Sequence, residues 1–419
     1  MLQFRTRVGL VCVLAALSAH SASAQKALTW QEVRDKFEAA NPSLLAGQIG
    51  VQEFRAAEIT AYLRPNPSLA LLADQLDPFP GGPPHGAFAF LLSSATVTYL
   101  HERAHKRELR LESAQGATAI AESSQADLER NLLFNLRGAF VGILEARAVL
   151  QVARENLAYW DRVLGVSRDR LQAGDLAQVD LDRLELQRVQ FESDLQSAEV
   201  NLRTAKIQLL MLLNSRTPVE QFEVTGPFDF REDLAALDEF RRLAFENRPD
   251  LKAAQQAVDK AKTDHKLAVA NGSTDPTFEF DVGRNPPIDQ YIGVGVSIPL
   301  RIFDRNQGEK QRTQLDIDRN QRLLDAAQAQ VFSDVDSAHA LVNSNLILLR
   351  PYREKYLQQA TRVRETVRFA YEHGGASLLD FLSAENDYRS VQLNYANLVG
   401  AYLMAAAQLN MAVGREVLQ

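Results

Sequence analysis

The second half of this chain repeats the pattern of the first half about 200 residues later. Gly174 precedes Asp180 by six residues, and Gly374 precedes Asp380 by six residues. Further matches pair Asn41-Pro42 with Asn247 to Leu251, and Leu195, Leu202 and Leu209 with Tyr395, Tyr402 and Leu409. A duplication of this length indicates two similar structural units in one object. We therefore predict two repeats, over residues 25–230 and 231–419.

The N-terminal residues predict export from the cytoplasm. Arg5 and Arg7 precede an apolar run over residues 8–17, and Ala22-Ser23-Ala24 has the small residues of a cleavage site. This order predicts a cleaved signal peptide over residues 1–24, which is too short to span a membrane.

The only cysteine, Cys12, lies within the predicted signal peptide, so we expect no disulfide in the mature chain. Val11 occupies the position where a lipoprotein signal needs a small residue, so we expect no lipidation. Removal of the signal deletes two arginines and changes the net charge from −7 to −9. No apolar run of about 18 residues follows, so the sequence predicts no membrane-spanning helix.

Long helices are predicted by the absence of proline between Pro84 and Pro218. In this stretch an apolar residue recurs every seven positions, at Leu136, Ile143, Leu150, Leu157, Leu164 and Leu171. Heptads of this kind indicate coiled-coil packing, and Gly174 ends the first arm. We predict antiparallel helical hairpins over about 101–214 and 308–412, with a kink at Pro351 in the second. A periplasmic coiled-coil spacer would show the same heptads.

Each predicted hairpin follows a region with the alternation of β-strands. Phe278, Phe280 and Val282 alternate with Thr277, Glu279 and Asp281. We predict four strands, over about 67–74, 86–99, 275–284 and 289–300. The second pair is about as long as transmembrane strands are, and the first pair has the same layout less clearly. Four strands cannot close a barrel, so symmetry-related copies would have to supply the rest. The alternative is a soluble four-stranded sheet packed on the helices.

The segment from Gly293 to Gly308 resembles the strand-to-helix junction of the TolC family of bacterial outer-membrane efflux ducts. Its end, Phe303-Asp304-Arg305-Asn306-Gln307-Gly308 after Pro299, is similar to the branch that serves cobalt–zinc–cadmium resistance pumps. The resemblance implies a mainly α fold with membrane β-strands. Three chains would form a TolC-like trimeric α/β barrel, in which each chain contributes long antiparallel coiled-coil helices and four transmembrane strands. It also implies a homotrimer in the outer membrane that meets a periplasmic adaptor and an inner-membrane RND pump. Such a duct is not an enzyme, and no cofactor, metal site or nucleic acid is implied.

The resemblance also assigns roles to the two tip turns. Gly174-Asp175-Leu176 and Gly374-Gly375-Ala376 match the adaptor-docking turns, and Asp180 and Asp380 match the carboxylates that narrow the periplasmic aperture, with Asp182 nearby. Ser383 stands where some relatives carry a second acid, and Ala376 where an arginine can occur. Rings of carboxylates favour cations. Alternatively, Asp180 and Asp380 cap the returning helices.

Two further predictions concern polar residues near the strands. Glu279 and Asp281 lie on the polar side of their strand and are expected to face the barrel lumen. His101-Glu102-Arg103-Ala104-His105 has the H-E-x-x-H spacing of zinc proteases, which requires both histidines on one helix face. Interfacial polar residues are the preferred interpretation, because no third ligand is evident. Metal cations are the expected cargo of the duct, and the alternative is a duct of the same architecture for drugs or other organic solutes. A periplasmic coiled-coil adaptor is the less favoured function.

Overall fold

The structure is a computed structural model that describes residues 27–75, 88, 91–286 and 288–418. The predicted signal peptide lies outside the described residues. So do most of the residues between the first two predicted strands and part of the start of the second predicted strand.

The described residues form long helices joined to one small sheet. In chain order the elements are α1 (Trp30–Ala40), α2 (Pro42–Tyr62), β1 (Ser68–Asp74), β2 (Leu92–Leu100), α3 (Lys106–Ala173), α4 (Gln178–Leu212), α5 (Leu237–Asn247), α6 (Pro249–Asn271), β3 (Thr277–Asn285), β4 (Ile288–Ser297), α7 (Gln307–Pro351), α8 (Leu357–Glu372) and α9 (Leu378–Val413). The order of elements in the first half recurs in the second half.

The four strands form one antiparallel sheet in the order β1-β2-β3-β4. The central pairing of β2 with β3 joins the two repeats, with Thr96 opposite Asp281 and Val97 opposite Phe280. The predicted strands agree with these elements except at their ends. β4 ends at Ser297 rather than at 300, just before Pro299, which has no N–H to donate to a ladder.

The two helical hairpins have the predicted connectivity. At about 1.5 Å per residue, the 68-residue α3 is roughly 100 Å long. The predicted start near His101 is wrong, because Ala104 and His105 adopt φ values of 58° and 55°, outside the helical range. In the second hairpin, α7 ends at Pro351 and a π-helical turn follows over Tyr352–Tyr356. The kink predicted at Pro351 thus falls where the backbone changes from an α-helix to a π-helical turn, a feature at which helices often bend.

The Asn-Pro motif places the start of α2 against the end of α4. The Asn41 side chain accepts hydrogen bonds from the Ser43 and Leu44 amides at 3.0 and 3.1 Å, and its Nδ2 donates to the Leu212 carbonyl at 3.0 Å. In the second repeat, Arg248 is buried, and its guanidinium donates a hydrogen bond of 3.4 Å to the Ala412 carbonyl near the end of α9. One short motif thus links a short helix to a long hairpin in each half.

Each repeat has its own hydrophobic core beside its hairpin. Phe37, Leu136 and Phe140 are buried in the first core, and Phe240, Val342 and Tyr402 are buried in the second. Among the described helices, α9 alone is long and apolar enough by composition to cross a membrane, but 61% of the relevant window is buried inside the chain. Its apolar side chains are accounted for by packing against α3 and α7.

Candidate functional site

The two tip turns have the same backbone geometry. Gly174 and Gly374 have φ values of +84° and +76°, a region that glycine adopts without the steric cost of a Cβ. The chain then turns back: the Asp175 amide donates to Arg170 at 2.8 Å, and the Gly375 amide donates to Ala370 at 2.7 Å. These bonds satisfy carbonyl groups at the helix ends.

The residues after the two glycines differ in exposure and packing. Asp175 and Gly375 are exposed, whereas Leu176 is partly buried against the apolar cluster behind the tips. Ala376 is half-buried. The tips therefore share one backbone shape and present different side chains.

The aperture candidates Asp180 and Asp380 differ in their local bonds. Asp380 accepts hydrogen bonds from the Ser377 amide at 3.1 Å and the Ser377 hydroxyl at 2.7 Å, forming a capping box. These two hydrogen bonds lower the pKa of the Asp380 carboxyl. Asp180 follows Ala177, which offers no side-chain cap, and its Oδ1 lies 3.6 Å from Arg183. The capping interpretation thus describes Asp380 and not Asp180.

The other two aperture candidates are exposed at the starts of α4 and α9. Asp182 accepts a hydrogen bond from Gln178 at 2.7 Å. Ser383 lies one turn after Asp380. All four candidates therefore lie within about two helical turns of a tip turn.

An aromatic cluster fixes the helices immediately behind the tips. Trp160 is 0% exposed, lies 5.1 Å from Phe191 and stacks on Phe381 at 6.0 Å between ring centroids. Its indole N–H donates to the Leu184 carbonyl at 2.9 Å. Tyr371 also stacks on Phe381, with ring centroids 4.9 Å apart. Residues of α3, α4, α8 and α9 thus meet in one packed group.

A buried polar layer lies next to this aromatic cluster. The Tyr159 hydroxyl donates to Oε1 of Glu385 at 2.9 Å, and Glu385 is only 6% exposed. The Arg364 guanidinium lies over the rings of Tyr159 and Tyr388, at 5.0 and 3.9 Å. Burial raises the pKa of the Glu385 carboxyl, against the opposing effects of the Tyr159 hydrogen bond and the arginines Arg364 and Arg368.

We expect Glu385 to make the stability of the tips depend on pH. A carboxyl whose pKa is raised on folding binds its proton more tightly in the folded state, so folding stability falls as pH rises from the ordinary glutamate pKa of about 4.3 through the raised value. Glu385→Gln should remove this slope and be the more stable protein above that window. Thermal unfolding measured from pH 4 to pH 8 tests this, and a constant difference between the two proteins would contradict it.

The sheet separates an apolar face from a polar face. Glu279 lies opposite Gly295 and Asp281 opposite Gly293 on β4. A Cβ on Gly293 would lie 3.2 Å from both carboxylate oxygens of Asp281, so the glycine leaves room for that side chain. The two predicted lumen acids therefore share one face, and the alternating apolar side chains share the other.

The junction motif is a local structure that turns the chain from β4 into α7. The Asp304 carboxylate accepts from the Asn306 amide at 2.8 Å, and Asn306, with φ +61°, donates from Nδ2 to the Ala268 carbonyl at 2.7 Å. The Arg305 amide donates to Gln307 at 2.8 Å. The same motif leaves Phe303 90% exposed. Pro299 and Gly308 flank this structure.

The H-E-x-x-H segment does not form a zinc site. His101 to Arg103 lie outside α3, so the helical spacing of His101 and His105 is lost. Glu102 instead accepts from Arg110 at 2.8 Å. Across the described residues, no group of three or more His, Cys, Asp or Glu side chains is placed to hold a metal.

Comparison with known proteins finds similarity to outer-membrane efflux proteins. The profile of the outer membrane efflux protein family matches residues 241–415. The cobalt-zinc-cadmium resistance protein CzcC of Cupriavidus metallidurans is 22% identical over 77% of this chain and 77% of its own length. The pyoverdine export outer membrane protein OpmQ of Pseudomonas aeruginosa is 24% identical over 74% of this chain and 66% of its own length.

The fold is also that of solved channel structures. The crystal structure of CusC matches with a TM-score of 0.78 at 17% identity, covering 92% of both chains. The open state of the MtrE outer membrane channel of Neisseria gonorrhoeae matches with a TM-score of 0.76 at 18% identity, covering 92% of this chain and 89% of the channel. Residues 241–415 therefore match the outer membrane efflux protein family, and the chain as a whole has the fold of these channel structures.

Proposed function

We propose that three copies of this chain form the outer-membrane duct of a tripartite efflux system. The observation that carries the proposal is the uncovered apolar face of the sheet. Leu71, Ile292 and Val294 are 76%, 74% and 85% exposed. None of the four hydrophobic clusters of the described residues includes a strand residue, which disfavours the alternative of a soluble sheet packed on helices. Lipid is the partner that such a face requires.

The open edges of the sheet support the proposal that several copies of the chain assemble. β1 and β4 each have one neighbour in the described sheet, and open edges are not tolerated in lipid. Since four strands come from one chain, three copies would supply twelve, above the roughly eight strands of the smallest membrane barrels. Copies of the chain pairing β4 with β1 would close the edge.

The helices have matching unpartnered surfaces. Along α4 the exposed side chains Val179, Leu186, Val200 and Ile207 are separated by multiples of seven residues. No residue of α8 is buried, and its Phe369 is 62% exposed. Heptad positions of this kind bury their apolar side chains against a second helix. Packing α4 of one copy near α8 of the next would continue the helical wall.

The tips would be the periplasmic end of this duct. Two turns of one backbone shape per chain would place six similar turns around the entrance, as a surface for a periplasmic adaptor that connects to an inner-membrane pump. Asp180, Asp182 and Asp380 would supply carboxylates to the aperture.

The assembly is tested by fractionating cells that express the full chain. We expect it in the outer membrane as a trimer that resists detergent and dissociates on heating. A soluble monomer in the periplasm would contradict the proposal and would favour an adaptor.

We propose heavy-metal cations as the cargo, and the relation to CzcC supports this choice. The acids at both ends of the duct, Glu279 and Asp281 at the sheet and Asp180 and Asp380 at the tips, suit positive cargo. The relation to OpmQ keeps an organic solute as the second candidate. Deleting the gene and comparing tolerance to zinc, cobalt and cadmium with tolerance to drugs separates the two. Unchanged metal tolerance with lost drug tolerance would reject metal cations.

A further inference from the structure

We propose that a cavity between the two repeats binds a small organic anion with an apolar body. The cavity has a volume of about 480 Å³ and is lined by side chains of α1, α3 and the end of α9. Ligand pockets usually have volumes of about 300–1,000 Å³. It is separate from the tips and from the sheet, so the proposal goes beyond the efflux function.

The central group of the cavity is the guanidinium of Arg137. It lies 4.5 Å from the centroid of the Trp30 ring and 5.8 Å from that of Phe140. The side chain is half-buried, and it makes no hydrogen bond or ion pair with any residue in the described part of the chain. Contact with the two rings holds the planar guanidinium in place. The N–H groups lie in the plane of the guanidinium, so this contact leaves them free to donate to a ligand.

Two of the other three arginines that line the cavity are paired with acids, and the third, Arg415, is exposed. Arg34 is paired with Glu38 at 2.6 Å. Arg130 is paired with Asp127 at 2.6 Å and donates to the Met411 carbonyl at 2.6 Å. Arg137 is half-buried and its donors lack an acceptor among the described residues, and a carboxylate accepts from such a fork with two parallel bonds.

The apolar side chains that line the rest of the cavity determine which non-ionic part of a ligand fits. Trp30, Leu133, Phe134 and Met411 line the cavity with aromatic and aliphatic surface. A bare inorganic anion would leave this surface uncovered, whereas an aromatic or short aliphatic carboxylate would cover it. Four arginines and two glutamates line the cavity, so it would repel metal cations.

The C-terminal segment supplies a competing charge. Glu416 lines the same cavity, is exposed, and is the acid that acts on Arg137 across it. No ion pair within 4 Å joins the two groups among the described residues, so a bound carboxylate and Glu416 would compete for one guanidinium. Removing the negative charge of Glu416 should therefore strengthen binding.

The experiment titrates the detergent-purified full chain with 4-fluorobenzoate and follows binding by fluorine NMR line broadening. We expect saturable binding that is displaced by benzoate, and weaker displacement by benzamide or inorganic phosphate. Arg137→Gln should weaken binding about 10- to 100-fold, the effect of losing hydrogen bonds to a charged group. Arg154→Gln is the matched control, because Arg154 is an arginine of the same helix that pairs with Glu199 outside the cavity.

Glu416→Gln provides an independent test, since tighter binding cannot result from misfolding. We expect it to raise the affinity for 4-fluorobenzoate severalfold. Absence of saturable binding, equal affinity of wild type and Arg137→Gln, or equal competition by benzamide would each overturn the proposal. Displacement by phosphate as effective as by benzoate would overturn the requirement for an apolar body.

Discussion

Val97→Arg is expected to abolish the assembled trimer in the outer membrane. Val97 lies on the inner strand β2. Its partners in the sheet are Leu69 on β1 and Phe280 on β3, and all three belong to the uncovered apolar face. An arginine on the lipid face of a barrel costs about 2–4 kcal/mol near the bilayer midplane, and a trimer incurs this cost three times. The amount of heat-dissociable trimer in outer-membrane fractions measures the effect.

Thr96→Arg is the matched control, because Thr96 is the adjacent residue and points to the opposite face. Its partner across the ladder is Asp281, with which the new guanidinium can pair. We expect this variant to assemble and to change only the charge of the lumen. Equal assembly of both variants, or loss of the Thr96→Arg protein with retention of Val97→Arg, would show that the apolar face does not contact lipid.

The sequence predicted the second strand pair better than the first for a physical reason. Over residues 277–282 of β3 and 292–297 of β4, apolar residues alternate with polar residues or glycine, and alternation is the signal of a strand with two different faces. In β1 the segment Ser68–Asp74 has leucine on both faces, at Leu71 and Leu72, so the alternation is lost. Its place in the sheet depends on pairing with β2, which a local pattern does not contain.

The starts of the long helices show a similar contrast. Before α7, Asp304 and Asn306 are residue types that stabilise a tight turn, and the junction was recognisable. Before α3, Ala104 and His105 adopt positive φ, and alanine is not a residue type that indicates it, so the predicted helix began too early. The Lys106–Asp275 ion pair at 2.6 Å holds this turn, and it joins residues far apart in the sequence.

The candidate site was also only partly predictable. The different bonds of Asp180 and Asp380 follow from Ala177 and Ser377, and the spacing Ser377 to Asp380 was available in the sequence as a capping signal. The hydrogen bond of Tyr159 to Glu385 joins residues 226 positions apart, and no sequence pattern predicts that contact. From the sequence alone, the buried Glu385 could not be distinguished from an exposed glutamate of the same helix.

Trp160→Ala is expected to cause the largest loss of stability of any single change near the tips. The side chain is fully buried between Phe191 and Phe381, and Trp→Ala substitutions in cores cost about 3–5 kcal/mol. The loss also removes the hydrogen bond to the Leu184 carbonyl that ties α3 to α4. Hydrogen exchange of residues 157–195 measures the effect, and we expect faster exchange there with little change in the sheet.

Trp160→Phe separates packing from the hydrogen bond, because phenylalanine keeps an aromatic ring between the same two neighbours and cannot donate to Leu184. It should lose much less stability than Trp160→Ala. Since the aromatic cluster joins α3, α4, α8 and α9 directly behind the entrance turns, loosening it should also let the tips separate. We therefore expect Trp160→Ala trimers in planar bilayers to conduct more than wild-type trimers, with Trp160→Phe close to wild type. Faster hydrogen exchange with unchanged conductance would show that the cluster stabilises the hairpins without holding the entrance.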